Sequence, residues 1–323
     1  MTDQPVAPAA VPTLRGSQAI YDLLFNGATR LFAGVVLIIL GGILLSLVFG
    51  SANAYHAFGL GFVWHDAWNP VKGDFGARAA VTGTLVTAAI AMVIGIPLSF
   101  GVAVFITELS PLWLKRPLSI AIELLAGIPS IIYGIWGLFV LVPFMKSVVQ
   151  PFLIATLGQV PVIGPLFQPP AYGIGVLTAG IILAIMVLPY ISSIMRDVFE
   201  TVPPMLKESA YGLGCTTWEV VWNIVLPFTK VGVVGGIMLG LGRAMGETMA
   251  VTFVIGNSDR IATSLLAPGQ TIASALANEF TEAVDDTYQS ALIALGLVLF
   301  VITFIVLALA KIMLIRMEKQ AGR

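Results

Sequence analysis

The sequence predicts an all-α integral membrane protein with six transmembrane helices. Hydrophobic side chains make up 58% of the 323 residues and charged ones only 10%, and the mean hydropathy is +0.98. Such a chain has too little polar surface for a soluble globule. Charge-poor runs long enough to cross about 30 Å of hydrocarbon as helices recur along it. The net charge of -1 excludes a broadly basic nucleic-acid binder, and the single cysteine, Cys215, excludes an internal disulfide framework.

In chain order, "MTDQPVAPAAVPTLRGSQ" is Pro- and Ala-rich with no apolar face to bury, and reads as a disordered tail. "SQAIYDLLFNGATR" places Ile20, Leu23, Leu24 and Leu31 at roughly helical spacing, as in a short interfacial helix. Residues 1–30 are therefore expected to be tail and interfacial helix, and 31–50 the first span. A signal peptide is the rival reading, since Ala52-Asn53-Ala54 resembles a cleavage site, but the apolar run is too long and begins too late. Further spans are expected near 80–107, 118–145, 173–195, 231–256 and 288–311. The stretch "SVVQPFLIATLGQVPVIGPLFQPPAY" is uncharged but carries five prolines, each deleting a backbone donor that lipid cannot replace, so it reads as a loop with a re-entrant or interfacial piece.

Lys and Arg set the expected orientation. With the N-terminus inside, eleven fall in inside loops and tails (Arg15, Arg30, Lys115, Arg116, Arg196, Lys207, Lys230, Lys311, Arg316, Lys319, Arg323) and four outside (Lys72, Arg78, Lys146, Arg260). A seventh span would reverse that bias. Both termini are therefore expected in the cytoplasm, with 316–323 as a short tail. The external loop 257–287 is acidic (Asp259, Glu279, Glu282, Asp285, Asp286) and reads as a solvated face.

Between the fourth and fifth spans lies "KESAYGLGCTTWEVVWNIVLPFTK". Physically this is a helix, a glycine break, a second helix with Trp218, Val221, Trp222 and Val225 as one apolar stripe, and a proline stop. Glu208, Ala210, Gly214, Trp218, Leu226 and Pro227, within 205–228, resemble the EAA loop of importer-type ABC permeases, with Ser209 in place of the middle alanine. The resemblance extends over most of 75–315. "AIELLAGIPSIIYGIWGLF", "VPPMLKESAYGLG" and "MLGLGRAMGETMAVTFVIGN" look like the permease subunits of the bacterial phosphate importer. It implies a type I ABC importer permease (MetI-like) fold and a coupling loop that docks on a cytosolic ATPase. It also implies import of inorganic phosphate across the inner membrane by alternating access. The implied partners are a second, similar permease subunit, an ATPase dimer holding ATP and Mg, and an extracytoplasmic phosphate-binding protein. No Walker A pattern, G-x-x-x-x-G-K-[ST], occurs in the sequence, so ATP hydrolysis is expected on a separate chain and no cofactor on this one. The same fold carrying sulfate or molybdate is the near alternative, and a secondary ion-coupled transporter the distant one.

One stretch resists a purely structural reading. "GLGRAMGETMAV" puts Arg243 and Glu247 inside an apolar run, where a charge at the bilayer centre costs roughly 2.5–3.5 kcal/mol. Four residues apart on a helix they would share a face and partly neutralise each other. Either the pair fixes helix register, or Arg243 offers its fork of donors to a passing phosphate while Glu247 holds it or accepts from the phosphate's hydroxyl. The surrounding glycines, Gly235, Gly236, Gly240, Gly242 and Gly246, read as helix-packing positions. Glu123 reads as structural, Ser130 and Tyr133 as weak pore candidates, and neither His56 nor His65 has the company of a metal ligand. No span carries a nucleophile with a base, which disfavours an intramembrane enzyme.

Overall fold

A computed structural model describes residues 16–321, so the Pro- and Ala-rich stretch that precedes them lies outside the described residues. Among the described residues six helices are long and apolar enough to cross a membrane, spanning Ile20–Val63, Arg78–Leu109, Ser130–Thr156, Val176–Glu200, Thr217–Met245 and Asp286–Arg316. The chain divides into two units, Met1–Phe49 and Gly50–Arg323.

In the first unit, α1 runs without interruption over Gly16–Gly50, so the expected interfacial helix and first span are one rod. Nothing between Arg30 and Leu31 breaks the ladder, and the Thr29 hydroxyl donates back to the Phe25 carbonyl at 2.8 Å.

The second unit is built around α6 (Val176–Glu200), whose Ile182, Leu183, Val187, Ile191, Met195 and Phe199 are fully buried. Against it packs α3 (Arg78–Leu109), through small residues such as Ala88, Ala91 and Gly95. Also against α6 packs α8 (Thr217–Met245), bringing Gly232, Gly236 and Gly240. A β-carbon on these glycines would stand 2.6, 2.9 and 2.5 Å from Val198, Ile194 and Ile191 of α6. Spaced four apart, they form the groove that lets two backbones approach closely where lipid offers no hydrophobic drive. Gly242 contacts Leu307 instead, and Gly235 faces open space.

Prolines shape the spans differently from their expected role as stops. Wide turns with i→i+5 bonding occur at Phe105–Leu109, Gly137–Leu141, Met145–Val149 and Val221–Val225. Each ends two residues before a proline: Pro111, Pro143, Pro151 and Pro227. A proline ring presses on the carbonyl four residues back and leaves it without a donor; widening the ladder by one residue relieves both faults. Helix therefore continues past Pro143, Pro151 and Pro227. The third span is α5, Ser130–Thr156, rather than 118–145, and the first third of the expected proline loop is helical. Residues 118–126 belong to a separate helix, α4 (Leu112–Ala126), set off by the turn at Gly127-Ile128-Pro129. Pro227 is no stop either, because α8 runs through it.

After α6 come α7 (Pro204–Gly212) and α8, which ends at Met245; the chain then breaks before α9 (Met249–Ile255). The fifth span is thus Thr217–Met245 and not a straight helix over 231–256. The loop after α1 is a packed cap. It contains α2 (Ala52–Phe58) and a hairpin of β1 (Trp68–Asn69) and β2 (Asp74–Phe75), with the ring of Phe75 stacked on Tyr288 at 5.2 Å. Tyr288 belongs to the last helix, α11 (Asp286–Ala321), which follows α10 (Ile272–Glu279) and carries the expected tail residues 316–321 as helix.

Candidate functional site

The loop between α6 and α8 takes the helix–turn–helix form that its residues specify. Ala210 of α7 is buried, Glu208 is exposed, and Gly214 makes the turn at φ +90° with no atom within 4 Å of a would-be β-carbon. Only the left-handed backbone, not crowding, demands glycine there. Thr216 then caps α8: its hydroxyl accepts the Glu219 N–H at 3.4 Å, and the Glu219 carboxylate accepts the Thr216 N–H at 2.7 Å. The expected apolar stripe divides between two environments. Val221 and Val225 are buried, whereas Trp218 and Trp222 stay exposed and meet edge to face at 5.2 Å. Met205, Leu213 and Trp218 are 74, 86 and 68% exposed, so this end of the molecule presents a large uncovered apolar surface around Glu208. Leu226 is half-buried and Pro227 exposed.

Ion pairs tie this end together. Lys207 of α7 reaches the buried Glu108 at the end of α3 at 2.5 Å, and Lys115 of α4 reaches Glu200 of α6 at 3.1 Å. Arg196 of α6, only 8% exposed, donates from Nη2 to Glu123 of α4 at 2.8 Å and to Asp197 at 2.6 Å. Its Nη1 is buried without a hydrogen-bond partner. Glu123 thus has a structural partner. The Tyr133 hydroxyl donates to the Leu125 carbonyl at 2.9 Å, bracing the turn between α4 and α5, while Ser130 opens α5.

Arg243 and Glu247 are not brought together. Arg243 sits in the last turn of α8, and the helix ends two residues later, so the four-residue spacing no longer places both side chains on one face. Among the described residues no ion pair or hydrogen bond engages the Arg243 guanidinium, which is exposed. Its Cζ lies 5.6 Å from the centroid of the Tyr190 ring. Glu247 turns the other way, its Oε1 accepting the Ala250 N–H at 3.3 Å in the first turn of α9. Tyr190 stands 14 residues after the start of α6 and 10 before its end, so at a rise of about 1.5 Å per residue the contact lies near the middle of that span.

At the opposite end from the α7 loop, the expected solvated acids separate into two groups. Glu282, Asp285 and Asp286 are exposed. Glu279 is partly buried and accepts from Trp68 Nε1 at 2.5 Å, the Tyr288 hydroxyl at 2.7 Å and Gln270 Nε2 at 2.9 Å. Burial, reinforced by the nearby Glu279, pushes the Asp259 carboxyl above its ordinary range. His65 pairs with Asp74 at 3.0 Å and His56 is exposed.

Tyr190 and Arg196 carry no signal in the sequence that marks them as site residues. Their partners lie 53 and 73 residues away, and no local spacing signals a contact between distant helices.

Comparison with known proteins gives a consistent picture. Residues 95–319 match the family described as "Binding-protein-dependent transport system inner membrane component". A protein of Mesorhizobium japonicum named "Phosphate transport system permease protein PstC" is 56% identical over 320 residues, covering 97% of this chain and 98% of that protein. One of the same name from Pasteurella multocida is 55% identical over 311 residues, covering 96 and 97%. Among solved structures, a chain of a bacterial alginate ABC transporter in complex with its alginate-loaded periplasmic protein superposes with a TM-score of 0.59. It is 18% identical and the match covers 90% of this chain and 93% of that one, a likeness of fold alone.

Proposed function

The chain belongs to the family of binding-protein-dependent transport system inner membrane components, and from that premise we propose that it is the permease subunit of an ATP-driven importer of inorganic phosphate. The observation that carries the choice of phosphate is near-full-length similarity, at 54–56% identity, to proteins named as phosphate transport permeases. The free guanidinium near the middle of the spans supplies a matching chemistry. A guanidinium offers several N–H donors in a planar fork that fits two oxygens of a tetrahedral oxyanion.

In this reading Arg243 contacts phosphate during translocation, and Glu247 accepts a hydrogen bond from the phosphate's hydroxyl or orients the first turn of α9. An extracytoplasmic binding protein delivers phosphate, a second and similar permease subunit completes the path, and two ATPase subunits hold ATP and Mg. The chain lies in the inner membrane with both termini in the cytoplasm. There the loop 205–228, through Glu208, Ala210, Gly214, Trp218, Leu226 and Pro227, seats α7 on the ATPase. The uncovered Met205, Leu213 and Trp218 support that use of the surface, since an apolar patch ringed by charge is what a docking partner covers. ATP-driven closure of the ATPase dimer then moves α7. Its bond to Glu108 carries the motion to α3, and from α6, which leads into α7, the Lys115–Glu200 and Arg196–Glu123 pairs carry it to α4.

The test is ATP hydrolysis by the assembled complex in proteoliposomes, with phosphate-loaded binding protein compared against the same protein offered sulfate. Stimulation by phosphate alone is expected. Stimulation by sulfate would move the proposal to another oxyanion, and transport without any ATPase chain would overturn it.

A further inference from the structure

We infer that Tyr190, through the face of its ring, is the residue that positions Arg243, and that the break after Met245 keeps Glu247 from doing so. The inference rests on the reading of Arg243 as a phosphate contact, and it assigns Tyr190 as a positioning residue for that contact.

A guanidinium in a span has two ways to be held. A carboxylate would neutralise it, but would occupy the fork of N–H donors and present a negative charge to an incoming anion. An aromatic ring within about 6 Å attracts the cation through its quadrupole without using an oxygen acceptor and without adding net charge. Arg243 is held in the second way. Tyr190 lies 5.6 Å from Cζ, and no acceptor among the described residues engages the N–H groups.

The backbone enforces the choice. Had α8 continued as a helix past Met245, Glu247 would stand one turn from Arg243 on the same face. Gly246 closes the helix at φ -93°, ψ 2°, and the Glu247 carboxylate instead meets the Ala250 N–H. Tyr190 is fixed in its turn. It follows Pro189 on α6, the most buried span, between Val187 and Ile191, both fully buried. No hydrogen bond among the described residues involves its hydroxyl, so the ring face, not the oxygen, makes the contact.

The experiment uses the complete complex in proteoliposomes. It measures phosphate uptake at saturating loaded binding protein, with complex assembly and ATPase activity without binding protein as parallel readouts. Tyr190→Phe keeps the ring and should retain uptake within about twofold. Tyr190→Leu keeps apolar bulk without a ring and should lose roughly 3- to 30-fold, the range of a cation–π contact from exposed to desolvated sites. Assembly and unstimulated ATPase activity should stay unchanged. If the leucine variant fails to assemble, Tyr190→Met, which is flexible enough to fill the same space, takes its place. Packing alone predicts normal uptake in the leucine or methionine variant, and a role for the hydroxyl predicts a defect in the phenylalanine variant; either result overturns the inference. Arg243→Gln run in parallel separates the two levels. Normal uptake in that variant removes the reading beneath, whereas no uptake there together with normal uptake in Tyr190→Leu removes only the part given to Tyr190.

Discussion

Two arginines reach into the apolar body of this molecule, and the protein treats them in opposite ways. Arg196 is nine-tenths buried and surrounded by carboxylates, Glu123 across the helix interface and Asp197 beside it in sequence. Arg243 is exposed, with an aromatic ring for company and no acceptor among the described residues. The first arrangement is that of a clamp: a buried guanidinium is neutralised by two carboxylates that keep contact with water, and its bond to Glu123 fixes how α4 lies on α6. In the second, the donors remain available to a ligand. A count of charged residues within apolar runs ranks Arg243 as the anomaly and passes over Arg196, yet both sit in helices long enough to span. What separates them is whether the N–H groups are already engaged, and that is a property of the tertiary structure.

The largest effect that could break the comparison is on uptake. Arg243→Gln should reduce phosphate uptake at least about 100-fold while the complex still assembles, since two charge-assisted hydrogen bonds at about 1.5–3 kcal/mol each are lost. Arg243→Lys keeps the charge without the fork and should recover part of that activity. Normal uptake by Arg243→Gln in an assembled complex would make the two arginines equivalent and send the search for the path elsewhere.

Next in size is a change that touches neither arginine. Gly214→Val forces a β-branched residue into the left-handed backbone at φ +90°, at a cost of about 1–3 kcal/mol. The spans should assemble, while binding-protein-stimulated ATP turnover falls roughly tenfold as α7 loses its seat. Wild-type turnover would take the loop out of the coupling path and leave the Arg196 clamp with nothing to transmit.

A smaller effect is expected at the clamp itself. Arg196→Gln leaves Glu123 unpaired, and because that carboxylate is half exposed the loss should be about 1–3 kcal/mol of stability. A lower thermal midpoint of the purified complex is the observable, with uptake by the complex that survives only modestly reduced, because the Lys115–Glu200 pair still joins α4 to α6. An Arg196→Gln complex of unchanged midpoint that fails to transport would show that the engaged arginine also serves the path.

The six spans were legible because hydropathy over about twenty residues reports burial in lipid directly. Their ends were less so. Gly127-Ile128-Pro129 breaks a helix inside a run charged only at Glu123, so the third span reads as beginning near residue 118, although its helix starts at Ser130. Conversely, Pro151 and Pro227 look like breaks, but the wide turns ahead of them let helix continue. The helix–turn–helix form of the 205–228 loop could be read because its turn is local and Gly214 is required by a backbone angle, whereas the split of its apolar stripe and the helix through Pro227 could not. The surroundings of Arg243 could not. A break after Met245 and a ring 53 residues earlier in the chain decide them, and four-residue spacing suggested a partner that the backbone takes away.

The smallest effect belongs to that lost partner, and it tests the comparison most finely. Glu247→Gln removes a negative charge but keeps an oxygen that can accept the Ala250 N–H or a phosphate hydroxyl. If the carboxylate only organises the first turn of α9, a contact worth about 1 kcal/mol, uptake should stay within about threefold of the unmodified complex. A role as counter-ion to Arg243 predicts instead a loss as deep as that of Arg243→Gln, because the guanidinium would then lack the group that holds it. Parallel uptake curves for the two variants in one membrane preparation decide between these outcomes. A deep loss at Glu247→Gln would mean that, during transport, α8 and α9 straighten enough to bring carboxylate and guanidinium together, and that the separation seen here belongs to one state of the cycle.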